Sequence, residues 1–100
     1  MKSKRSRATD ISARTKAIVW ERDGQRCIFC GSHAAMPNAH YISRAHGGLG
    51  VEKNIVTACG ACHYEMDNTP ERPVFLEKAK KHLMSCYIGW NEAELVYKKG

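Results

Sequence analysis

Residues 27–67 have the sequence CIFCGSHAAMPNAHYISRAHGGLGVEKNIVTACGACHYEMD, and the cysteine pairs at its two ends decide the fold. Cys27 and Cys30 form the first pair, Cys59 and Cys62 form the second, and two residues separate the cysteines of each pair. Zinc binds four thiolates in a tetrahedron, and this spacing supplies two thiolates from each turn of the chain. The pairs therefore predict one structural Zn²⁺ that ties the start of the stretch to its end.

The predicted zinc site leaves the metal no open position for water or substrate, so we expect its role to be structural. The alternatives are a redox-active pair and simple burial of the cysteines. A redox pair predicts a thioredoxin-like βαβ pattern around it, which the sequence does not show. The fifth cysteine, Cys86, falls on a predicted C-terminal helix, where we expect a small, buried or half-buried apolar residue.

The size and charge of the chain indicate what kind of partner to expect. Its 100 residues make one small domain, which often needs a metal or disulfides as a staple. The net charge of +6 favours a polyanionic partner, most commonly nucleic acid. No apolar run has the length of a transmembrane helix, and no hydrophobic segment follows the basic N-terminus. We therefore expect a monomeric cytoplasmic protein without membrane contact, in a compartment that keeps thiols reduced.

The sequence predicts an α+β protein with a basic, disordered arm at residues 1–10 and a domain at residues 11–100. In the arm, Lys4 and Arg5 are expected to contact phosphates when DNA is bound. The pattern of apolar residues, caps and glycines predicts, in order, a helix at 12–22, strands at 39–44 and 54–57, a helix at 61–67, a longer helix from 73 and a short last helix after 91. These elements place the core at about 27–68 and the C-terminal helices at 73–98.

Several residues inside and just after the cysteine frame follow a recognisable order: Ala39-His40, Gly47-Gly48, Asn54 and His63. This order resembles the HNH (His-Asn-His) endonuclease family, in particular its small bacteriophage-encoded members with a four-cysteine zinc site, over about residues 27–67. The resemblance implies a ββα-metal (His-Me finger) core with flanking helices and a catalytic divalent metal between hairpin and helix. It also implies a DNA endonuclease or nickase in a phage-infected or prophage-carrying bacterial cell, with a phage terminase as a partner.

The resemblance implies a role for each polar residue of the motif in phosphodiester hydrolysis. His40 matches the general base on the first strand, and a neutral imidazole with an ordinary pKa takes up a proton near pH 7. Asn54 matches the residue that ties down the loop and orients His40. His63 matches the ligand of the catalytic metal, for which Mg²⁺, Mn²⁺, Ni²⁺ and Zn²⁺ stay open. Outside the motif, the same residues would be a solvent-facing histidine, a turn-capping asparagine and a helix-capping histidine.

Two further residues are candidate members of the same site. Asp67 follows His63 by four residues, so a helix places both on one face, and a histidine with a carboxylate suits a divalent ion. Arg44 follows His40 by four residues, and its guanidinium suits two oxygens of a phosphate. The alternatives are an ordinary exposed acid and a solvent-facing arginine.

Ala39 departs from the family pattern, because many HNH enzymes carry Asp, Glu or His there as a metal ligand. Asp67 replaces that ligand, or water and phosphate complete the metal site, or the domain is catalytically inactive. The last case gives the alternative function, a zinc-ribbon-like module that binds nucleic acid or protein. A purely structural zinc domain would not need His40, Asn54 and His63.

Overall fold

The computed structural model describes residues 3–98 of the chain. Its helices and strands are, in chain order, α1 (Lys4–Thr9), α2 (Ala13–Arg22), β1 (Ala35–His40), β2 (Ile55–Cys59), α3 (Gly60–Asn68) and α4 (Arg72–Cys86). Short 3₁₀ turns lie at Arg44–His46, Glu52–Asn54 and Glu92–Glu94. Helices around one two-stranded antiparallel sheet confirm the α+β class. Within residues 3–98, no helix has the length and apolar character needed to cross a membrane.

Strand β1 ends at His40, so the strand predicted at 39–44 is wrong in its position. Ala39 pairs with Val56 and His40 with Ile55, and the ladder stops there. Two residues after His40, the backbone N–H of Ile42 donates to the side chain of Asn54 at 2.8 Å instead of to a strand partner. The side-chain amide of Asn54 thus takes the place of a hydrogen-bond partner on the neighbouring strand. The chain then turns into the loop that carries Arg44.

Buried residues of both strands pack together with residues of α3 and α4 in one hydrophobic core cluster, and α2 also contacts both strands. The cysteines of the predicted zinc site border this core, and the core cluster contains Cys27, Ala39, Val56, Ala58, Cys59, Met66, Ala79 and Leu83. Met66 and Leu83 are fully buried, and burial of side chains of this size stabilises the fold by about 2–3 kcal/mol each. Small alanines on both strands allow the helices to approach the sheet closely.

The ends of α2 lie where the sequence predicts them. The Ser12 hydroxyl accepts a hydrogen bond from the backbone N–H of Thr15 at 3.1 Å, which caps the helix. Asp23 follows the last helical residue, and Gly24 has a left-handed φ of 74° that favours glycine. The predicted last helix is only a 3₁₀ turn, with Asn91 as its cap.

The prediction of a disordered arm at 1–10 is wrong for residues 3–10. Residues 4–9 form α1, and Thr9 is 3% exposed. The carbonyl oxygen of Ala8 accepts a hydrogen bond from the backbone N–H of Gly50 at 3.0 Å, so the segment docks on the domain. The basic composition concealed this docking, because it depends on backbone groups rather than on apolar side chains. Residues 1, 2, 99 and 100 of the predicted parts lie outside the described residues.

Candidate metal centre and cleft

The four cysteines of the two pairs are arranged to hold a metal ion. Their sulfur atoms all lie within 4.8 Å of one another, and those of Cys30 and Cys59 are 3.6 Å apart. Tetrahedral zinc with bonds of about 2.3 Å separates its sulfurs by about 3.8 Å, so these four donors fit zinc. The loop at 27–30 and the start of α3 thereby meet at one point, as the spacing predicted.

Backbone amides point at two of the four sulfur atoms, and at Cys27 the backbone amides favour the thiolate form. The N–H of Phe29 donates to Cys27 Sγ, and the N–H of Cys62 donates to Cys59 Sγ, each at 3.4 Å. Burial raises the pKa of the Cys27 thiol, but the surrounding backbone N–H groups outweigh burial and lower that pKa to about 7. The thiol therefore deprotonates readily near neutral pH, which metal binding requires.

A separate open cleft of about 860 Å³ lies beside the end of β1. It brings together four residues predicted from widely separated parts of the sequence, and the further ionisable residues Asp10, Lys16, His46 and Arg72 also line it. Its ionisable lining includes His40, Arg44, His46, His63, Asp67 and Arg72. The cleft therefore combines three imidazoles, two carboxylates, one ammonium and two guanidinium groups, a set that suits a phosphate ester with a metal ion.

A hydrogen bond to the backbone of the N-terminal residues holds His40 in this cleft. Its side chain is nearly buried, with 9% of the residue exposed, and Nε2 lies 2.9 Å from the carbonyl oxygen of Thr9. A carbonyl only accepts hydrogen bonds, so Nε2 carries the ring proton and Nδ1 of the neutral ring keeps its lone pair. Burial lowers the pKa of His40 and outweighs the Thr9 carbonyl, which raises it. The ring is thus neutral at pH 7 and has one nitrogen free to accept a proton.

Asn54 ties together the two ends of the loop that follows His40. Its side chain is fully buried, and Nδ2 donates to the carbonyl oxygens of Ile42 at 3.1 Å and Leu49 at 2.9 Å. Its Oδ1 accepts from the N–H of Ile42 at 2.8 Å. These bonds show the loop-tying contact that the motif implied, and a contribution of Asn54 to catalysis stays a prediction.

His63 and Asp67 lie one turn apart on the cleft-facing side of α3. The Nε2 atom of His63 is 3.0 Å from Asp67 Oδ2, as their spacing predicted. The other carboxylate oxygen of Asp67 is 3.4 Å from Nη1 of Arg72. Among the His, Cys, Asp and Glu residues that the structure describes, only the four cysteines bring three or more ligand atoms within 4.8 Å. A second metal would therefore have two protein ligands here, with water or phosphate for the rest.

Position 39 supplies no metal ligand, and its side chain does not face the cleft. Ala39 is fully buried in the core cluster beside Val56, together with residues of α3 and α4. Side chains of successive strand residues point to opposite faces, and in this structure His40 lines the cleft while Ala39 enters the core. The small apolar residue at this position satisfies core packing.

Three residues that contact the predicted site residues had no signal in the sequence. The Thr9 carbonyl orients His40, Asp10 forms an ion pair with Arg44, and Arg72 contacts Asp67. The first two contacts join residues 31 and 34 positions apart along the chain. Local patterns cover a few helical turns or one hairpin, so they contain no information about such pairs. Only the partners His40, Arg44 and Asp67 were predicted.

Of the predicted DNA-contacting residues of the N-terminus, Arg5 lies beside the cleft. Arg5 Nη2 donates to the carbonyl oxygen of Ala45 at 2.7 Å, and Lys4 is exposed on α1. Ala45 itself lines the cleft, so Arg5 is adjacent to it.

Comparison of the chain with protein-family models, curated proteins and solved structures gave no match.

Proposed function

We propose that this chain is a metal-dependent DNA endonuclease or nickase of the HNH type. The observation that carries the proposal is His40: a buried, neutral imidazole whose Nδ1 is free to take a proton. It shares one cleft with a histidine–carboxylate pair, His63 and Asp67, and with two arginines. A core or surface histidine without function would not require this combination of groups.

The residues of the cleft supply the parts of a phosphodiester hydrolysis. Nδ1 of His40 takes a proton from the water whose oxygen forms the new bond to phosphorus. Arg44 and Arg72 offset the negative charge that develops on the phosphate oxygens. The P–O3′ bond breaks, the 3′ oxygen takes a proton from water, and the products are 5′ phosphate and 3′ hydroxyl ends. His63 and Asp67 would hold a divalent ion, which would supply Lewis-acid stabilisation of the phosphate and the leaving oxygen.

DNA is the substrate that the charge of the molecule favours. The net charge is +6, and the cleft is lined by Lys16, Arg44 and Arg72. Phosphate contacts of this kind position a backbone without reading bases. We therefore propose weak sequence specificity and binding that weakens as salt increases.

The test is cleavage of supercoiled plasmid by the purified protein with Mg²⁺, Mn²⁺, Ni²⁺ or EDTA. We expect metal-dependent nicking that falls by about 100-fold or more in His40→Ala, because the general base is lost. His33→Ala is the matched control, since His33 is an exposed histidine that does not line the cleft. Equal nicking by wild type and His40→Ala would contradict the assignment of the base.

A catalytically inactive zinc module that binds nucleic acid or protein is the second candidate. It is favoured by the contacts of Asp67, whose carboxylate already pairs with His63 and Arg72 while the cleft offers two metal ligands. This candidate predicts a folded, zinc-loaded protein that binds DNA or a protein partner but cuts with none of the metals. Its binding would be unchanged in His40→Ala.

A further inference from the structure

Residues 3–10, the N-terminal segment, form one side of the cleft. Asp10 lines the cleft and pairs with Arg44, and Arg5 binds the carbonyl oxygen of Ala45 at 2.7 Å. Between these contacts, the Ala8 carbonyl accepts from the N–H of Gly50 at 3.0 Å. Side-chain and backbone bonds thus fasten the segment to the loop that follows His40.

The N-terminal segment passes so close to Gly50 that no side chain fits at this position. A Cβ atom built on Gly50 would lie 1.9 Å from the carbonyl oxygen of Asp10 and 2.5 Å from its carbonyl carbon. Both atoms belong to the backbone, so a side chain at position 50 can be accommodated only if the segment moves. The close approach brings the carbonyl of the preceding residue, Thr9, to the ring of His40.

We infer that the N-terminal segment is a positioning element of the catalytic site, in which the Thr9 carbonyl fixes the tautomer and direction of the His40 ring. The inference rests on the proposed nuclease function. The bond from Nε2 to the Thr9 carbonyl is 2.9 Å long, and it leaves Nδ1 as the proton acceptor. The same segment holds Arg44 through Asp10. Thr9 acts through His40 and is a positioning residue, not a catalytic one.

The substitution Gly50→Ala tests the inference without altering any group that touches substrate. Gly60→Ala is the matched control, because a Cβ on Gly60 would meet nothing within 4 Å. In long-range ¹H–¹⁵N spectra, assigned with His40→Ala, we expect His40 of the wild type to be protonated at Nε2 alone. In Gly50→Ala we expect mixed tautomers, and kcat for plasmid nicking reduced by about 10- to 100-fold with a smaller change in KM. Gly60→Ala should match the wild type in both measurements.

The outcomes separate this inference from the nuclease proposal. A His40 spectrum and a kcat that are unchanged in Gly50→Ala would overturn the positioning role. If the wild type cuts no DNA but the His40 tautomer changes in Gly50→Ala, the nuclease proposal fails and the positioning contact stands. Should Gly50→Ala not fold, Arg5→Ala removes one anchor of the segment without a clash. It should produce a smaller tautomer change of the same kind, and no change would likewise overturn the inference.

Discussion

At the scale of single residues, one buried carboxylate joins three elements. Asp23 Oδ1 lies 2.7 Å from Nε of Arg22 and 2.7 Å from Nε2 of His82, and Oδ2 accepts from the N–H of Thr57 at 2.8 Å. Burial raises the pKa of Asp23, but its hydrogen bonds with His82 and Arg22 outweigh burial and lower that pKa to about 2. The end of α2 is therefore joined to β2 and α4 through one charge.

The Asp23 carboxylate should make stability depend on acidity. Its folded-state pKa lies below the unfolded value, so its contribution is present above about pH 4 and is lost as pH falls towards 2. The shift corresponds to about 2 kcal/mol. We expect Asp23→Asn to lose about 3 kcal/mol of unfolding free energy at pH 7 and to flatten the acid limb. Urea unfolding from pH 2 to 7 measures both effects, with the exposed Glu94→Gln as control.

The lowered pKa of His40 predicts where cleavage begins to fail in acid. Burial lowers this pKa from its ordinary value of 6.5, Arg44 and His63 lower it further, and the Thr9 carbonyl and Asp67 oppose them. More than half of the base is therefore neutral at pH 6.5, and the acid limb of kcat/KM should lie below that pH. Nicking rates measured from pH 5 to 9 give the position of this acid limb. An acid limb above pH 7 would contradict the lowering of the His40 pKa by burial.

At the scale of elements, strand β1 divides its side chains between core and cleft. Ala39 is fully buried in the core, whereas Met36 on the same strand is 58% exposed. The irregular register between these residues places Pro37 and Asn38 opposite Thr57. A bulge tolerates proline, and it re-aims the residues that follow it towards the cleft. The strand thus ends with His40 facing the N-terminal segment.

The burial of Ala39 predicts that a carboxylate placed there does not complete the metal site. Ala39→Asp would bury a charge in the apolar core, and we expect a loss of about 3 kcal/mol or more in unfolding free energy. Met36→Asp on the exposed part of the strand should change it by less than about 1 kcal/mol. Urea unfolding compares the two variants. A stable Ala39→Asp protein with faster metal-dependent nicking would show that position 39 reaches the cleft.

At the scale of the whole molecule, both ends of the described chain hold the loop between β1 and β2. The N-terminal segment binds it through Ala8, and the C-terminal part binds it through the N–H of Tyr97, which donates to the Gly47 carbonyl at 2.7 Å. The N–H of Leu49 donates to the carbonyl oxygen of Leu95 at 2.8 Å. The loop that carries Arg44 is therefore fixed from both sides.

We expect the stability of this small domain to depend on the metal bound by the four cysteines. We expect one zinc per chain, and Cys30→Ser should lose the metal and lower Tm by about 10 °C or more, since zinc ties residue 27 to residue 62. Elemental analysis and thermal unfolding by circular dichroism measure these effects. Cys86→Ser is the control, because Cys86 lies on α4 outside the cluster and should keep the zinc. Equal zinc content in the two variants would exclude the four-thiolate site.

The sequence by itself determined the features that depend on short spacing. Cysteines two residues apart make a metal-binding turn, Ser12 caps the helix it precedes, and residues 63 and 67 share one face of a helix. Only the tertiary structure decided that α1 forms, that Thr9 holds His40 and that Asp10 holds Arg44. These contacts join distant parts of the chain through a side-chain ion pair, backbone carbonyls and a glycine without a side chain. Such groups produce no periodic pattern and no bias in composition that could be read from the sequence. The packing of the fold alone therefore determines where they meet.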